Sequence, residues 1–183
     1  MIKDRPIPNF IARIMFKMHS SKRLQKEIKF LKSGLITPGD TILDFACGPG
    51  NLSIIMAEET GDKGEVYALD IHPLAIKQTE KLAKQHQIQN IKTIITDKSE
   101  TGLADNSIDI VFIFNAIDMI RDKKKMINEI ERVLKSKGKL IIRNKINFKR
   151  NTSYYENLLS KTSIEFSKQK EKSFFFTKKQ NIS

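Results

Sequence analysis

Apolar positions in the first 34 residues recur at helical spacing. Phe10, Ile11, Ile14, Met15 and Met18 fall on one stripe after Pro6 and Pro8, with Asn9 as the expected cap; Leu24, Ile28 and Leu31 form a second, stopped at Gly34. The pattern then changes. The turn TPGD, with Pro38 and Gly39 at its centre, leads into the short apolar run 41–45 (TILDF), which reads as a buried strand. From there strands and helices alternate: helix 51–60 closed by Gly61, strand 65–70, helix 73–86 opened by Pro73, and strand 91–96. The loop LADNS, strand 109–114, a helix over 122–135 with Met126, Ile127, Ile130, Val133 and Leu134 inward, the stop Gly138 and strand 139–143 follow. Five strands alternating with helices predict an α/β fold of the doubly wound class, a mostly parallel sheet covered on both faces. The tail breaks this rhythm. After a short helix near 154–160, two strand-like runs, 163–167 and 173–177, are joined by KQKE, too short for a helical crossover, and therefore predict a C-terminal antiparallel hairpin, seven strands in all. Phe174, Phe175 and Phe176 read as a strand packed on both faces or as a dimer surface.

A chain of 183 residues suits one domain with a sizeable core. Nothing approaches the roughly 18 uninterrupted apolar residues of a membrane span, and the N-terminus lacks the order of a signal peptide, so a cytoplasmic protein without membrane insertion is expected. The single cysteine, Cys47, excludes an internal disulfide and a multi-thiolate zinc site, and should behave as a small buried hydrophobe. His19, His72 and His86 lack metal-ligand spacing, and no metal site is expected. The formal net charge of +12 is unevenly placed: residues 1–34 carry nine Lys/Arg against Asp4 and Glu27 (+7), residues 35–120 carry −7 and residues 121–183 carry +12. Basic flanks of this kind fit either a lysine-rich solvated surface or a patch for a polyanion such as RNA, and the dispersed lysines favour the first.

The chemistry concentrates after the first strand. In doubly wound folds ligands bind beyond the carboxyl ends of the strands, where a loop with few side chains lets a ligand approach the backbone. Ala46, Gly48 and Gly50 provide such a loop behind Asp44, and twenty residues after Gly50 the second strand ends in Asp70, where a carboxylate can accept hydrogen bonds from both hydroxyls of a ribose. A dinucleotide site would want a third glycine near the start of the helix, but serine, Ser53, stands there.

In these residues the chain resembles the class I S-adenosylmethionine-dependent methyltransferases, from about Leu35 to Lys179. LDFACGPG is similar to that family's first motif, an acid and three small residues at alternate positions, here Asp44, Ala46, Gly48 and Gly50, with alanine in place of the first glycine; the change is tolerable where φ stays negative. The resemblance implies a Rossmann-like fold and S-adenosylmethionine as cofactor. It implies that Asp44 and the loop, Cys47 included, hold the methionine end, that Asp70 in YALDIHP holds the ribose, and that Ile71 packs on the adenine. IITDKSE resembles the next motif, whose acid, Asp97, accepts the adenine amino group beside Lys98, and DNSIDIVFIFNAIDMI resembles the fourth strand, with Asn115 at its mouth beside the reacting methyl. Residues 1–34 then form an N-terminal helical lid and residues 35–183 the cofactor-binding domain.

The nearest group within that resemblance includes quinone-biosynthesis C-methyltransferases and many small-molecule enzymes, so a small-molecule acceptor is expected. No catalytic side chain is assigned, because a sulfonium is already a good leaving group and alignment alone can supply roughly 7–11 kcal/mol. FNAI in place of an Asn-Pro-Pro-Tyr run disfavours amide or exocyclic-amine methylation. Two alternatives stay open, an RNA or protein acceptor docked on the basic flanks and a non-catalytic cofactor-binding partner subunit, and oligomeric state is not indicated.

Overall fold

The computed structural model describes residues 6–18, 24–96, 100–144 and 150–180, and divides between Asp97 and Lys98 into two compact units. The first holds α1 (Asn9–Met18), α2 (Gln25–Leu31), β1 (Thr41–Phe45), α3 (Asn51–Thr60), β2 (Glu65–Asp70), α4 (Pro73–Gln85) and β3 (Ile91–Ile95). Its strands run parallel in the order β3-β2-β1. Ile42, Leu43, Val66, Ala68 and Leu69 are all at most 3% exposed, as strands covered on both faces require. Burial of this kind stabilises by roughly 1.5–3 kcal/mol per large aliphatic side chain.

Register brings the two strand-end acids side by side. Asp44 pairs with Ala68, and Asp70 follows two residues later on the same strand, so both carboxylates leave the same face at the carboxyl ends of β1 and β2.

The second unit holds β4 (Ile108–Phe114), α5 (Lys123–Val133), β5 (Leu134–Arg143), α6 (Thr152–Leu159), β6 (Ile164–Lys170) and β7 (Ser173–Lys178). Its order is β4-β5-β7-β6, parallel between β4 and β5 and antiparallel for the rest. The seven strands thus form a Rossmann-like α/β fold, mostly parallel with a C-terminal antiparallel hairpin. Phe174, Phe175 and Phe176 are buried, packed on both faces. β6 ends the order; a bulge between Phe166 and Lys168 interrupts its pairing, and Lys168 and Lys170 are exposed along it.

Four local expectations need correction. Asn9 is the first helical residue of α1 and not its cap, because the Pro8 carbonyl accepts the first bonds, from the Ile11 and Ala12 N–H groups. The α1 stripe, expected from its period to serve as core or lid rather than as a membrane anchor, is not core: Phe10, Ile11 and Ile14 are 66%, 37% and 59% exposed, while Ala12 is fully buried. The side chains of Met15 and Met18 lie outside the described residues. α5 ends at Val133 and β5 begins directly at Leu134, four residues before Gly138, with Lys137 in the left-handed region at φ 65°. The hairpin turn is tighter than KQKE implies, since β6 continues to Lys170 and Glu171 takes the left-handed φ of 52°.

Candidate functional site

The loop leaving β1 is built from three left-handed residues, Ala46 at φ 63°, Gly48 at 57° and Gly50 at 80°. The expected negative φ at Ala46 is therefore not observed; alanine accepts the left-handed region here at a cost of about 1–2 kcal/mol. The Cys47 N–H donates to the Leu69 carbonyl at 2.9 Å, which ties the loop to β2. Its two glycines answer different demands. A Cβ at Gly50 would stand 2.4 Å from Thr79 Oγ1, so the start of α3 packs against α4 only without a side chain. A Cβ at Gly48 would meet nothing within 4 Å, leaving that stretch of backbone open to a ligand.

Asp70 holds this loop in place. Its Oδ2 accepts from the Gly48 N–H at 2.9 Å and its Oδ1 from the His72 N–H at 2.8 Å, and the Ile71 N–H also turns toward this carboxylate. His72 caps α4: its Nδ1 accepts from the Leu74 N–H at 3.1 Å, which leaves Nε2 protonated to donate to the Ile7 carbonyl at 3.0 Å. The Phe16 ring meets His72 edge to face with centroids 6.1 Å apart, so α1 is fastened immediately behind Asp70.

Both carboxylates are buried, and their electrostatics differ from those of surface acids. Asp44 is 2% exposed and accepts the Ser53 hydroxyl at 2.6 Å. Desolvation pushes its carboxyl up to about 7, the Ser53 bond opposing and the Asp70 charge adding to the rise. Asp70 is also raised, by burial, although the His72 and Gly48 N–H groups pull the other way. The Cys47 thiol is raised by burial and then by Asp44 and Asp70; its Sγ lies 3.5 Å from the Gly48 carbonyl, and it is half-buried and unreactive as a nucleophile. A ligand bringing hydroxyl donors and a positive charge finds acceptors already positioned.

Of the sequence-predicted residues, the fold thus brings together Asp44, Ala46, Cys47, Gly48, Gly50 and Asp70, with Ile71 half-buried directly after Asp70. Asp97 and Lys98 lie outside the described residues. Asn115 belongs to the second unit, where it directly follows β4 at φ 51° and donates its N–H to the Arg143 carbonyl at 2.8 Å. Sequence reasoning missed the roles of Ser53, His72 and Thr79. Ser53 was noticed only as an absent glycine, and His72 was legible as a cap before Pro73, but nothing in the sequence announced Thr79 beneath Gly50. It also missed Ile95, paired in register with Asp70 and 54% exposed, which offers apolar surface at that strand end. In the second unit Asp118 was equally unannounced, accepting from Asn144 Nδ2 at 2.9 Å and Arg150 Nε at 3.0 Å, while the Arg150 guanidinium lies 4.0 Å from the Tyr154 ring centre.

An acid, a bare left-handed loop and a second acid thus stand at adjacent strand ends of a Rossmann-like α/β fold, the end at which doubly wound proteins bind their ligands. The chain belongs to the methyltransferase-domain family, whose model matches residues 36–180. It is 32% identical over 127 residues to the demethylmenaquinone methyltransferase of Listeria welshimeri, covering 69% of this chain and 52% of that protein. The chain therefore spans about half the length of the curated relatives it matches. Among solved structures it resembles a candidate S-adenosyl-L-methionine-dependent methyltransferase of Methanococcus maripaludis, with a TM-score of 0.79 and 20% identity over 100% of this chain and 99% of that one. A SAM-dependent methyltransferase of Aquifex aeolicus gives a TM-score of 0.76 at 21% identity, covering 91% and 96%. These likenesses show the fold. No helix among the described residues is long and apolar enough to cross a membrane.

Proposed function

We propose that this chain is an S-adenosylmethionine-dependent methyltransferase acting on a small-molecule acceptor of the quinone-precursor class. The observation that carries the cofactor is the pairing of Asp70 with Gly48: one buried carboxylate at the end of β2 fixes the loop and stands where it can also accept from a ribose diol. The residues fit the group. Gly48 leaves the room that an amino-acid tail needs, Asp44 supplies a buried acid for its ammonium, and Ile71 and Ile95 supply apolar surface for a base. Asp97, Lys98 and Asn115 complete the proposed set by resemblance. When bound, the cofactor supplies an electrophilic methyl carbon on a sulfonium that leaves as a neutral thioether. The chain's own work is to bind and orient, which can lower a barrier by roughly 7–11 kcal/mol without a general base. The acceptor class is supported by the relatives acting on demethylmenaquinone and by the family match across residues 36–180.

Calorimetry with S-adenosylhomocysteine tests the site. The parent should bind it and Asp70→Ala should bind about 100-fold more weakly, the loss of two hydrogen bonds to a charged acceptor. Equal binding by the two proteins ends the assignment of Asp70. Transfer of a labelled methyl group should then be measured with a demethylated quinol in detergent, with RNA and with protein. Label in the quinol supports the acceptor class; label only in RNA or protein replaces it.

A further inference from the structure

We propose that α1 is a docking helix for an anionic membrane surface, with Phe10, Ile11 and Ile14 entering the boundary between headgroups and acyl chains. The helix has one occupied side and one bare one among its described side chains. At about 100° per residue, Ala12 and Phe16 share the side held against the first unit, where Ala12 is fully buried and Phe16 meets His72. Phe10, Ile11 and Ile14 share the opposite side and are 66%, 37% and 59% exposed, with Arg13 exposed next to them. The inner face is therefore already packed, and closing α1 down on its own chain does not require the outer one.

The charge of the surrounding segment selects the occupant. Residues 1–34 carry nine lysines and arginines against two acids, and one of those acids, Glu27, is 2% exposed. Three large apolar side chains with Arg13 exposed beside them, on a segment whose sequence carries a net +7, match the interfacial helix, whose apolar face enters the bilayer while its cations meet anionic headgroups. RNA would use the cations but not the aliphatic side chains, because bases stack on aromatic or guanidinium planes. A second copy of this chain would bring the same positive segment against itself and a net charge of +12 on each side. The inference stands apart from the identity of the methyl acceptor.

The chain contains no tryptophan, so Phe10→Trp makes a single reporter on the proposed face. With the full chain, vesicles of phosphatidylcholine containing about one quarter phosphatidylglycerol should shift its emission to the blue, and the protein should sediment with them at least ~10-fold more strongly than with phosphatidylcholine alone. The triple variant Phe10→Ser, Ile11→Ser, Ile14→Ser should lose vesicle binding by at least about tenfold while keeping its circular dichroism and its uptake of S-adenosylhomocysteine. An unshifted emission, or a triple variant that sediments as well as the parent, overturns the proposal. So does retention of a short RNA with no retention of vesicles. None of these readings depends on turnover, so failure here is distinguishable from failure of the methyltransferase assignment.

Discussion

Each unit buries carboxylates, and the two treat them in opposite ways. In the second unit Glu129 takes 2.7 Å bonds from both the Thr101 N–H and hydroxyl and an ion pair from Arg132. Burial works to raise its carboxyl, but the Arg132 and Thr101 bonds outweigh it and hold the group down at about 2. Lys178, 7% exposed, likewise donates to Asn106 and to the Glu131 and Leu134 carbonyls. In the first unit burial wins, and Asp44 rises to about 7 beside a loop with open backbone. Charge that is buried and matched is framework. Charge that is buried and poised to lose or gain a proton next to bare backbone is where a ligand has something to contribute.

Four measurements sharpen or break that contrast, in falling order of effect. Gly50→Ala should destabilise the chain by about 4 kcal/mol in urea unfolding, the sum of a left-handed φ and a collision with Thr79. A cost below about 1 kcal/mol would mean that Gly50 is not needed for the packing of α3 on α4. Glu129→Gln should cost about 2 kcal/mol of stability and leave S-adenosylhomocysteine affinity unchanged, as befits framework. A parallel loss of affinity would show that the framework and the site are one system.

The third is a pH dependence. Asp44 has its folded value raised from 3.8 to about 7, so the native state holds more protons than the unfolded one between those limits. Its stabilising contribution is complete below about pH 4 and is lost as pH rises through about 7, so the ligand-free protein should grow less stable over that window. Affinity for the ammonium-bearing S-adenosylhomocysteine should move oppositely, weakening by up to about tenfold per unit as pH falls below about 7. Asp44→Asn should flatten both curves, and a parent whose affinity is level from about pH 5.5 to 8 contradicts the placement of Asp44 at the ammonium. Smallest is Ala46→Gly, which should raise stability by about 0.5–1 kcal/mol in thermal unfolding, relief of left-handed strain less the entropy of glycine. A loss of stability would show that the alanine methyl is packed to advantage.

The alternating elements were legible because each carries its own punctuation. β1 and β2 match expectation residue for residue, since TILDF and EVYALD are bounded by turn residues and buried on both faces. The carboxylates and the small residues between them were legible for the same reason. What escaped depends on packing between segments far apart in sequence. Periodicity marks an apolar stripe on α1 without saying which side meets the protein; Ala12 and Phe16 supply that side, and Phe10 and Ile14 do not. The φ of Ala46 escaped because the turn imposes it against the residue's own preference. Thr79, thirty-one residues from Gly48, reaches the loop only once α4 is laid alongside α3.

The outermost strand of the second unit bears on how this molecule tolerates company. A row of free peptide groups invites another chain to zip alongside, yet β6 meets the newcomer with a kinked backbone at Phe166 and Lys168 and with ammonium groups that repel their own image. Crowded solutions of this protein should consequently resist fibre growth from that rim, and the lysines there have a purpose in keeping neighbours apart that requires no ligand at all.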